Sequence, residues 1–483
     1  MRINKISALL IIFVIIATAC TPVPKILDNL EESPPSDDIR STESPLQTES
    51  PVGSNIDLEN LFIPFWESWE ILHDEFVNQP LDDEAMVAGA IDGLTSFYES
   101  RGINYENLTQ PTDEEIIQTL AIRAKTPIEV EDLFLPFWGV WIAGVGAEMD
   151  AGMTYENMMQ SALHGLVNSL GDPHTFYMDP DQYRQLNIPL EGEYEGIGAW
   201  VDTTGEYLTI ITPMQGSPAE RAGLKPKDKV IAVDGEDMTG IVGNLVIRKV
   251  VGPAGSTVVL TIEREGYSDP FDVEITRELI ILPTLESRME DNQIGYIHLF
   301  NFGANSAQDF HSALSDLLEQ DARGIVVDLR NNGGGFLHSA VSIASEFFPD
   351  GVVLIEEYQD GSRDVSYVED GGLAIDIPIV VLINQGSASA SEIVAGMIQD
   401  LNRGPLVGAT SFGKGSAQIN FVLTDDRGGL RVTIAKWLTP NERLIHNIGL
   451  TPDFMVEITE EDIEAGLDPQ LDRAIELLLG IIG

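Results

Sequence analysis

Hydrophobic and polar positions change their periodicity along the chain and divide it into three folded segments. Between residues 57 and 190, apolar side chains such as Trp66 and Trp69 recur at helical spacing and predict amphipathic helices. Residues 191–276 contain short apolar runs separated by turns, as in KVIAVDG and TVVLTIER, and predict a small β-rich domain. Residues 277–483 alternate strand-like runs, such as GIVVDL, with helical runs and predict an α/β sheet packed by helices. We therefore expect a multidomain α/β protein.

The helical region contains an internal repeat. The string LFIPFWESW, from Leu61, recurs as LFLPFWGVW, from Leu133, 72 residues later. Aromatic residues at this spacing usually form the buried face of a helix, so we predict that they make a core rather than a ligand site. Only the second copy is followed by the turn Gly171–Thr175, in which His174 has either a structural or a chemical role.

The first 56 residues have the pattern of an export signal followed by a linker. An apolar run from Ile6 to Ala19 follows a basic start and is shorter than the roughly 20 residues that span a bilayer. Cys20, the single cysteine of the chain, comes next. We predict that residues 1–20 are a lipoprotein signal peptide and that acyl chains on Cys20 anchor an exported protein to a membrane, facing the periplasm or the cell exterior. The alternative is a signal peptide with a chance cysteine. Residues 21–56, rich in Pro, Ser and acidic side chains, are predicted to be a disordered linker.

The net charge of the chain limits the classes of partner that it can bind. It carries 27 basic and 78 acidic side chains, which give a formal net charge of -51. This charge repels phosphate backbones and anionic lipid headgroups, so we expect no nucleic-acid partner. The seven histidines are scattered and form no cluster with metal-ligand spacing, so we expect neither a metal ion nor another cofactor.

A small-residue turn between a strand and a helix is the main candidate for a nucleophile. The apolar run Ile379–Asn384 is followed by QGSASAS and then by helical EIVAGMIQD. Small residues leave the hydroxyl of Ser389 exposed on a tight turn, and backbone N–H groups at a helix N-terminus stabilise an oxyanion. The alternative is an ordinary serine-rich helix cap, whose hydroxyl groups satisfy free N–H groups.

A candidate base lies downstream, where Lys414 stands between Gly413 and Gly415. Flanking glycines permit a lysine to pass through closely packed backbone, and burial lowers the pKa of a lysine toward working pH. Neutral Lys414 could then accept the proton of Ser389, as in the Ser-Lys variants of serine hydrolases. The alternative is a solvated lysine in a turn.

A third candidate element is the string DLRNNGGG, which ends at Gly335 and follows a predicted strand. Its three glycines permit positive φ and close approach of the backbone to a ligand. They form either an oxyanion loop or a phosphate-binding loop. The string lacks the GxxxxGK[ST] spacing of a phosphate-binding loop, which disfavours the second interpretation.

The chain contains four characteristic strings in this order: DLRNNGGG, NQGSASASEIVAGMIQD, TSFGKGSAQ and GLTPD. Together they resemble the motifs of the carboxyl-terminal processing proteases, which cleave exported polypeptides near their C-termini. The resemblance extends from about Asp57 to the C-terminus and implies that residues 277–483 form a serine protease core of crotonase-like type. It also implies the functional residues: Ser389 as nucleophile, Lys414 as general base, Gln418 to orient the lysine, and the N–H groups of Ala390 and Gly334 as the oxyanion hole.

The β-rich segment resembles a PDZ domain, because GIGA followed by SPAERAGLKPKDKVIAVDG matches the pattern of such domains. In a PDZ domain, consecutive backbone N–H groups capture a terminal carboxylate while the bound peptide adds a strand. The resemblance implies that unstructured polypeptides or polypeptide C-termini are the substrates. Two positions depart from the family pattern: Gly333 stands where proline is frequent, and Val251 where many relatives carry arginine. The implied binding residues are Gly196, Ile197, Gly198 and Ala199.

Three other interpretations remain open. Ser411 and Lys414 match the S-x-x-K of penicillin-binding enzymes, but the glycines beside the lysine break the helix that this motif needs. A second interpretation keeps Ser389 as the nucleophile and uses His174 as the base, as in tricorn-like proteases. The third is a membrane-tethered PDZ binding module with an inactive protease part.

Overall fold

The computed structural model describes residues 60–103, 113–145, 154–180, 182–183, 192–239, 241 and 243–483. The predicted signal peptide, Cys20 and the predicted linker lie outside these residues. In the ranges described, no helix has both the length and the apolar character needed to cross a bilayer. The chain forms helices first, then a β-rich domain, then an α/β core, as the hydrophobic pattern predicts.

The N-terminal region is built from the two copies of the sequence repeat. The second helices of the two copies meet at glycines, because a Cβ added to Gly165 would lie 2.1 Å from the carbonyl oxygen of Gly89. Rings from both copies interlock, with the centroids of Phe62 and Trp141 5.0 Å apart, which confirms that the aromatic residues form a core. The elements described here are α1 (Ile63–Glu75), α2 (Asp83–Ser100), α3 (Asp113–Arg123), α4 (Leu135–Val145), α5 (Tyr155–Asn168) and the strand β1 (Phe176–Met178).

The β-rich domain is an antiparallel sheet attached to the rest of the chain by a two-stranded ribbon. The ribbon consists of β2 (Glu193–Gly196) and β9 (Glu278–Ile281). The strands of the sheet are β3 (Ala199–Asp202), β4 (Leu208–Pro213), β5 (Lys229–Val233), β6 (Glu236–Asp237), β7 (Thr257–Glu263) and β8 (Phe271–Thr276), and the helices are α6 (Pro218–Arg221) and α7 (Gly243–Val250). The order β3-β4-β5-β7-β8, with β6 beside β5, leaves β3 at an edge of the sheet.

The C-terminal core contains two sheets with helices packed around them. The first sheet comprises β10 (Leu285–Glu290), β11 (Ile294–Leu299), β12 (Gly324–Asp328), β15 (Ile379–Ile383), β16 (Leu406–Gly408) and β19 (Phe454–Met455), in that order, and is parallel apart from β10. The second comprises β13 (Val352–Tyr358), β14 (Arg363–Tyr367), β17 (Ser416–Val422) and β18 (Gly429–Leu438), together with β1. The helices are α8 (Ser306–Glu319), α9 (Leu337–Ser345), α10 (Ala390–Asp400), α11 (Glu460–Ala465) and α12 (Pro469–Ile482).

Two strand pairings position the candidate site. β12 and β15 are parallel neighbours, with Asp328 opposite Leu382, so the glycine-rich loop and the turn before α10 leave the same edge of the sheet. β1 comes from the segment expected to be helical and pairs with β18, with Phe176 opposite Arg431. This pairing brings the turn Gly171–Thr175 to the second sheet.

Candidate active site

Ser389 is the N-cap of α10 and adopts φ 54° and ψ -116°. It is fully buried, so the prediction that its small neighbours leave the hydroxyl exposed is wrong for this state of the protein. A non-glycine residue at positive φ costs about 1–3 kcal/mol, so the surroundings must hold it there. Its N–H donates to a carboxylate oxygen of Glu392 over 2.9 Å. The neighbouring serines tie the same turn to the glycine-rich loop, because Ser387 Oγ donates to Leu329 O and Ser391 Oγ to Asn332 O.

Gly334 and Ala390 lie beside Ser389. A Cβ added to Gly334 would lie 2.8 Å from the Cβ of Ser389 and 2.9 Å from the backbone nitrogen of Ala390, and its φ of 103° also favours glycine. The N–H of Ala390 is at the first position of α10, where a helix offers no intrahelical acceptor. The N–H of Gly334 donates to Asn332 Oδ1 over 2.9 Å. The two expected oxyanion residues are therefore adjacent, and one of their N–H groups is engaged within the loop.

Lys414 is fully buried in the irregular segment before β17. A Cβ added to Gly415 would lie 2.9 Å from the backbone nitrogen of His446, so the segment passes through closely packed backbone. The carbonyl oxygen of Lys414 accepts a hydrogen bond from Trp437 Nε1 over 3.1 Å. This environment is not that of a solvated turn, and Ser411 and Lys414 do not share the helix that an S-x-x-K site needs.

Glu392 connects the turn that ends at Ser389, the serine turn, to the segment Ser411–Lys414, the lysine segment. The sequence did not predict this connection. The carboxylate of Glu392 is fully buried and lies between α10 and the lysine segment. Burial raises the pKa of Glu392, while the hydrogen bonds that it accepts oppose this shift. The S-x-x-E spacing of Ser389 and Glu392 is the sequence signal of a helix capping box and predicts only the bond between these two residues. The hydrogen-bond donors are Ser389 N at 2.9 Å and Lys414 N at 2.8 Å to Oε2, and Gly413 N at 2.7 Å and Ser411 Oγ at 2.5 Å to Oε1.

Gln418 lies at the start of β17 with its side-chain amide buried. Its Nε2 donates to Ser416 Oγ over 2.9 Å and contacts Thr433 Oγ1 at 3.3 Å. Its Oε1 lies 3.5 Å from Arg431 Nη2. The hydroxyl of Thr433 donates to Asp172 and so can only accept from Gln418, while Arg431 can only donate, so these two neighbours fix the orientation of the amide.

His174 comes from the turn before β1 and is half-buried near the lysine. Burial is the main cause that lowers the pKa of His174 to about 4; the positive charge of Lys414 contributes to this shift, and Asp172 acts in the opposite direction. The backbone N–H of His174 donates to Asp172 Oδ1 over 3.1 Å. The alternative base is thus electrostatically coupled to Lys414 and is neutral at pH 7. In the part of the chain that the structure describes, no three His, Cys, Asp or Glu side chains are grouped so that they could hold a metal ion.

The four residues expected to bind a carboxylate lie at the entrance to β3, in the β-rich domain. The carbonyl of Ile197 accepts from Ala219 N over 2.8 Å, and that of Gly198 accepts from Met214 N over 3.0 Å. In a trans peptide unit the N–H points away from the preceding carbonyl, so the N–H groups of Gly198 and Ala199 face away from these donors. The side chain of Ile197 is buried in the domain core.

Tyr194 lies across this loop. Its ring packs on Gly196, where an added Cβ would lie 2.6 Å from Tyr194 Cε2. Burial raises the pKa of Tyr194, and hydrogen bonding from the backbone of Gly198 and Ala199 acts in the opposite direction. A phenol oxygen of the chain itself therefore lies near the N–H groups that are expected to receive a carboxylate.

Comparison with known proteins identifies two domains and several relatives. The model of peptidase family S41 matches residues 293–456, and a PDZ domain model matches residues 209–264. The carboxyl-terminal-processing protease of Synechocystis sp. is 38% identical over 329 residues, which cover 66% of this chain and 77% of the relative. The carboxy-terminal processing protease CtpA of Bacillus subtilis is 35% identical over 306 residues, which cover 63% of this chain and 65% of the relative. Among solved structures, the photosystem II D1 C-terminal processing protease is similar over 83% of this chain and 93% of its own, at 24% identity and a TM-score of 0.46.

Proposed function

Because this chain belongs to the carboxyl-terminal processing proteases, serine peptidases of family S41 that carry a PDZ domain, we propose that Ser389 is its nucleophile and Lys414 its general base. The neutral amine of Lys414 accepts the hydroxyl proton as Ser389 Oγ attacks the carbonyl carbon of the scissile peptide bond. The resulting ammonium then donates this proton to the leaving amine, and water hydrolyses the acyl-enzyme by the reverse sequence of proton transfers.

One observation carries this assignment: a strained serine at a helix N-terminus and a fully buried lysine are hydrogen-bonded through their backbones to one carboxylate. Burial favours the neutral amine, which is the form able to accept a proton. The N–H of Ala390 stabilises the oxyanion, and the N–H of Gly334 joins it once its bond to Asn332 is released. Gln418, held by Ser416 and Thr433, orients the lysine.

For the PDZ domain, we propose capture of the C-terminus of an unstructured polypeptide. The outward N–H groups of Gly198 and Ala199 receive the terminal carboxylate. The open edge of β3 accepts the rest of the peptide as an added strand, whose backbone hydrogen bonds depend little on its sequence. This arrangement favours exposed chain ends over folded surfaces.

We also propose that the protein is exported and that its mature form begins at a lipidated Cys20, with residues 21–56 as the tether to the membrane. The apolar run before the single cysteine supports this proposal. Mass measurement of the mature N-terminus tests it. A diacylglyceryl mass on Cys20 is expected, and a mature chain that begins at any other residue would contradict the anchor.

Degradation of an unstructured protein by purified variants tests the catalytic assignment. Ser389→Ala and Lys414→Ala should both abolish hydrolysis and keep the melting temperature of the wild type. Lys436→Ala is the matched control, because this half-buried lysine lies on β18 opposite Ser416 and has no assigned role in the reaction. Hydrolysis by Lys414→Ala together with its loss in His174→Ala would assign the base to the histidine. An inactive wild type that still binds C-terminal peptides would favour the binding-module alternative.

A further inference from the structure

Glu392 brings together the two elements that carry the proposed nucleophile and base. We propose that Glu392 is a positioning residue, whose carboxylate sets the separation between the serine turn and the lysine segment. This inference rests on the proposed function, since it assigns Glu392 a task only if Ser389 and Lys414 react together. Glu392 itself has no contact with the scissile bond in this proposal.

The shared oxygen is the main evidence. Oε2 of Glu392 accepts from the backbone nitrogen of Ser389 at 2.9 Å and from that of Lys414 at 2.8 Å. Two nitrogens bonded to one oxygen can be no farther apart than the sum of these distances, about 6 Å. Ser389 belongs to the N-terminus of α10 and Lys414 to the segment before β17, so the carboxylate connects parts of the chain that are separate in sequence.

The donors around the carboxylate favour its ionised form. Ser389, Gly413 and Lys414 contribute backbone N–H groups, and these can only donate. A proton on Oε2 would meet two backbone N–H groups, and a proton on Oε1 would require the hydroxyl of Ser411 to turn and accept it. The four donors therefore favour the ionised form against the opposing effect of burial, and a buried carboxylate with four donors is held more firmly than a solvated helix cap.

A purely local role would need fewer contacts. A capping box uses the side chain of Glu392 for only one bond, the one from Ser389 N. The other donors, Ser411 Oγ, Gly413 N and Lys414 N, all belong to the lysine segment, so most of the hydrogen-bonding capacity of Glu392 serves the contact between segments. The bond to Ser389 also holds the residue at its strained φ of 54°.

Glu392→Gln tests the proposal with almost no change in volume. At the Oε2 position the NH2 group would face two backbone N–H groups, and at the Oε1 position it would face the N–H of Gly413 beside the hydroxyl of Ser411. Either orientation therefore places the NH2 group against at least one obligate donor. We expect kcat to fall about 100-fold, because misplacement of reacting groups by an ångström costs that much. KM should change by less than about twofold, because the PDZ domain and the substrate contacts are untouched.

Glu346→Gln is the matched control. Glu346 is a buried glutamate of the same core, and its carboxylate accepts from His311 Nδ1 at 2.6 Å and from Leu373 N at 2.9 Å. It has no assigned role in the reaction, so this variant should keep the kcat of the wild type even where its melting temperature falls. Equal losses of kcat in both variants would reduce the effect of Glu392 to general destabilisation and overturn the proposal.

Ser411→Ala is a milder variant for the case in which Glu392→Gln fails to fold. It removes one donor to Oε1 and leaves the shared oxygen Oε2 with both of its bonds, so kcat should fall by up to about tenfold at constant KM. Lys414→Ala is assayed in parallel, so that failure of the positioning role of Glu392 can be distinguished from failure of the proposed base. The positioning role alone is overturned if Lys414→Ala is inactive while Glu392→Gln keeps full kcat. Where Glu392→Gln does not fold, full kcat in Ser411→Ala has the same meaning. Activity in Lys414→Ala overturns the proposed base as well.

Discussion

The carboxylate of Asp172 accepts a 2.5 Å hydrogen bond from the hydroxyl of Thr433, a residue 261 positions later in the chain. The backbone of Thr433 is held on both sides, because its carbonyl accepts from Val77 N at 2.8 Å and its N–H donates to Thr175 Oγ1 at 3.0 Å. Val77 follows the first helix of the repeat, and Thr175 follows the second copy. Both copies of the helical repeat therefore support the strand residue that contacts Gln418.

Asp172→Asn should lower kcat/KM about tenfold without unfolding the protein. Oδ1 of Asp172 accepts from His174 N, and Oδ2 accepts from the hydroxyls of Thr175 and Thr433. Asparagine therefore keeps its oxygen toward the His174 N–H and turns its NH2 group toward the two hydroxyls, which must then accept. The hydroxyl proton of Thr433 then turns away from residue 172 and can point at Gln418, so the amide of Gln418 loses its fixed direction. Steady-state kinetics measures the effect.

A double-mutant cycle and a conservative variant provide the controls for the effect of Asp172 on Gln418 through Thr433. Asp172→Asn should add little to the loss caused by Gln418→Ala if both act through the same amide. Thr433→Ser keeps the hydroxyl and should retain most activity, whereas Thr433→Val should reproduce the loss. Additive effects of Asp172→Asn and Gln418→Ala would show that the helical region does not act on the catalytic site through Gln418.

Gly334→Ala should lower kcat about 100- to 1000-fold, the range for loss of an oxyanion-hole donor. The added methyl would lie 2.8 Å from Ser389 Cβ and 2.9 Å from Ala390 N, so the loop must move away from the nucleophile. Gly371→Ala is the matched control, because Gly371 has a similar φ of 106° with nothing within 4 Å of the added Cβ. If Gly371→Ala were equally inactive, backbone strain rather than the oxyanion geometry would account for the loss.

Gly198→Val should lower kcat/KM for long free-acid substrates about tenfold and leave short peptides unaffected. The φ of 74° and a Cβ placed 2.5 Å from Ser217 Cβ leave no room for a side chain in the loop. A substrate amidated at its C-terminus should be cleaved slowly by the wild type and no more slowly by the variant. Gly216→Val serves as the control, with φ 72° and open space around the added Cβ. Equal cleavage of free-acid and amidated long substrates would remove the capture role.

Tyr194→Phe should tighten binding of a free C-terminal peptide about three- to tenfold, the range for one neutral hydrogen bond. The phenol oxygen competes with the carboxylate for the N–H groups of Gly198 and Ala199, and phenylalanine keeps the ring on Gly196. Calorimetric titration with free-acid and amidated peptides measures the change, which should be confined to the free acid. Weaker binding by the variant would mean that the hydroxyl contacts the ligand instead.

The lowered pKa of His174, about 4, predicts an acid-sensitive contribution to stability. The ordinary value in an unfolded chain is about 6.5, so between these two values the unfolded state binds more protons. Stability from this group is complete above about pH 7 and is lost as the pH falls toward 4. Melting temperatures of His174→Gln should therefore depend less on pH in this window than those of the wild type.

The kinetic counterpart distinguishes the two candidate bases. If Lys414 is the base, the acid limb of the pH profile of kcat/KM remains in His174→Gln. It moves along the pH axis only by the shift that loss of one neighbouring imidazole produces. A histidine base would instead give an acid limb near its own pKa of about 4, and that limb would vanish in the variant.

The catalytic candidates could be predicted from the sequence because their physical reasons are local. Small residues around Ser389 and glycines around Lys414 occur within strings of a few residues, and the family resemblance depends on the same strings. The role of Glu392 could be predicted only in part, since S-x-x-E indicates a cap but not the three donors from the lysine segment. The bond between Asp172 and Thr433 has no local signal at all, because it depends on how the helical region packs on β18.

Fold class followed from periodicity, whereas strand pairings between segments did not. β1 has only three residues, too few for an alternating pattern to distinguish it from a loop, and its strand conformation depends on pairing with β18. β9 likewise begins after the expected domain boundary at residue 276 and is defined by its partner β2. Edge strands of this kind are fixed by the tertiary structure.

The ribbon of β2 and β9 makes the PDZ domain an insertion with adjacent ends. Glu193 pairs with Ile281 across this ribbon, so the chain leaves and returns to the core at points one strand spacing apart, about 5 Å. A module joined in this way can be deleted or exchanged by recombination without changing the order of the strands in the core. Recognition of chain ends and cleavage of peptide bonds can therefore evolve as separate properties of one gene.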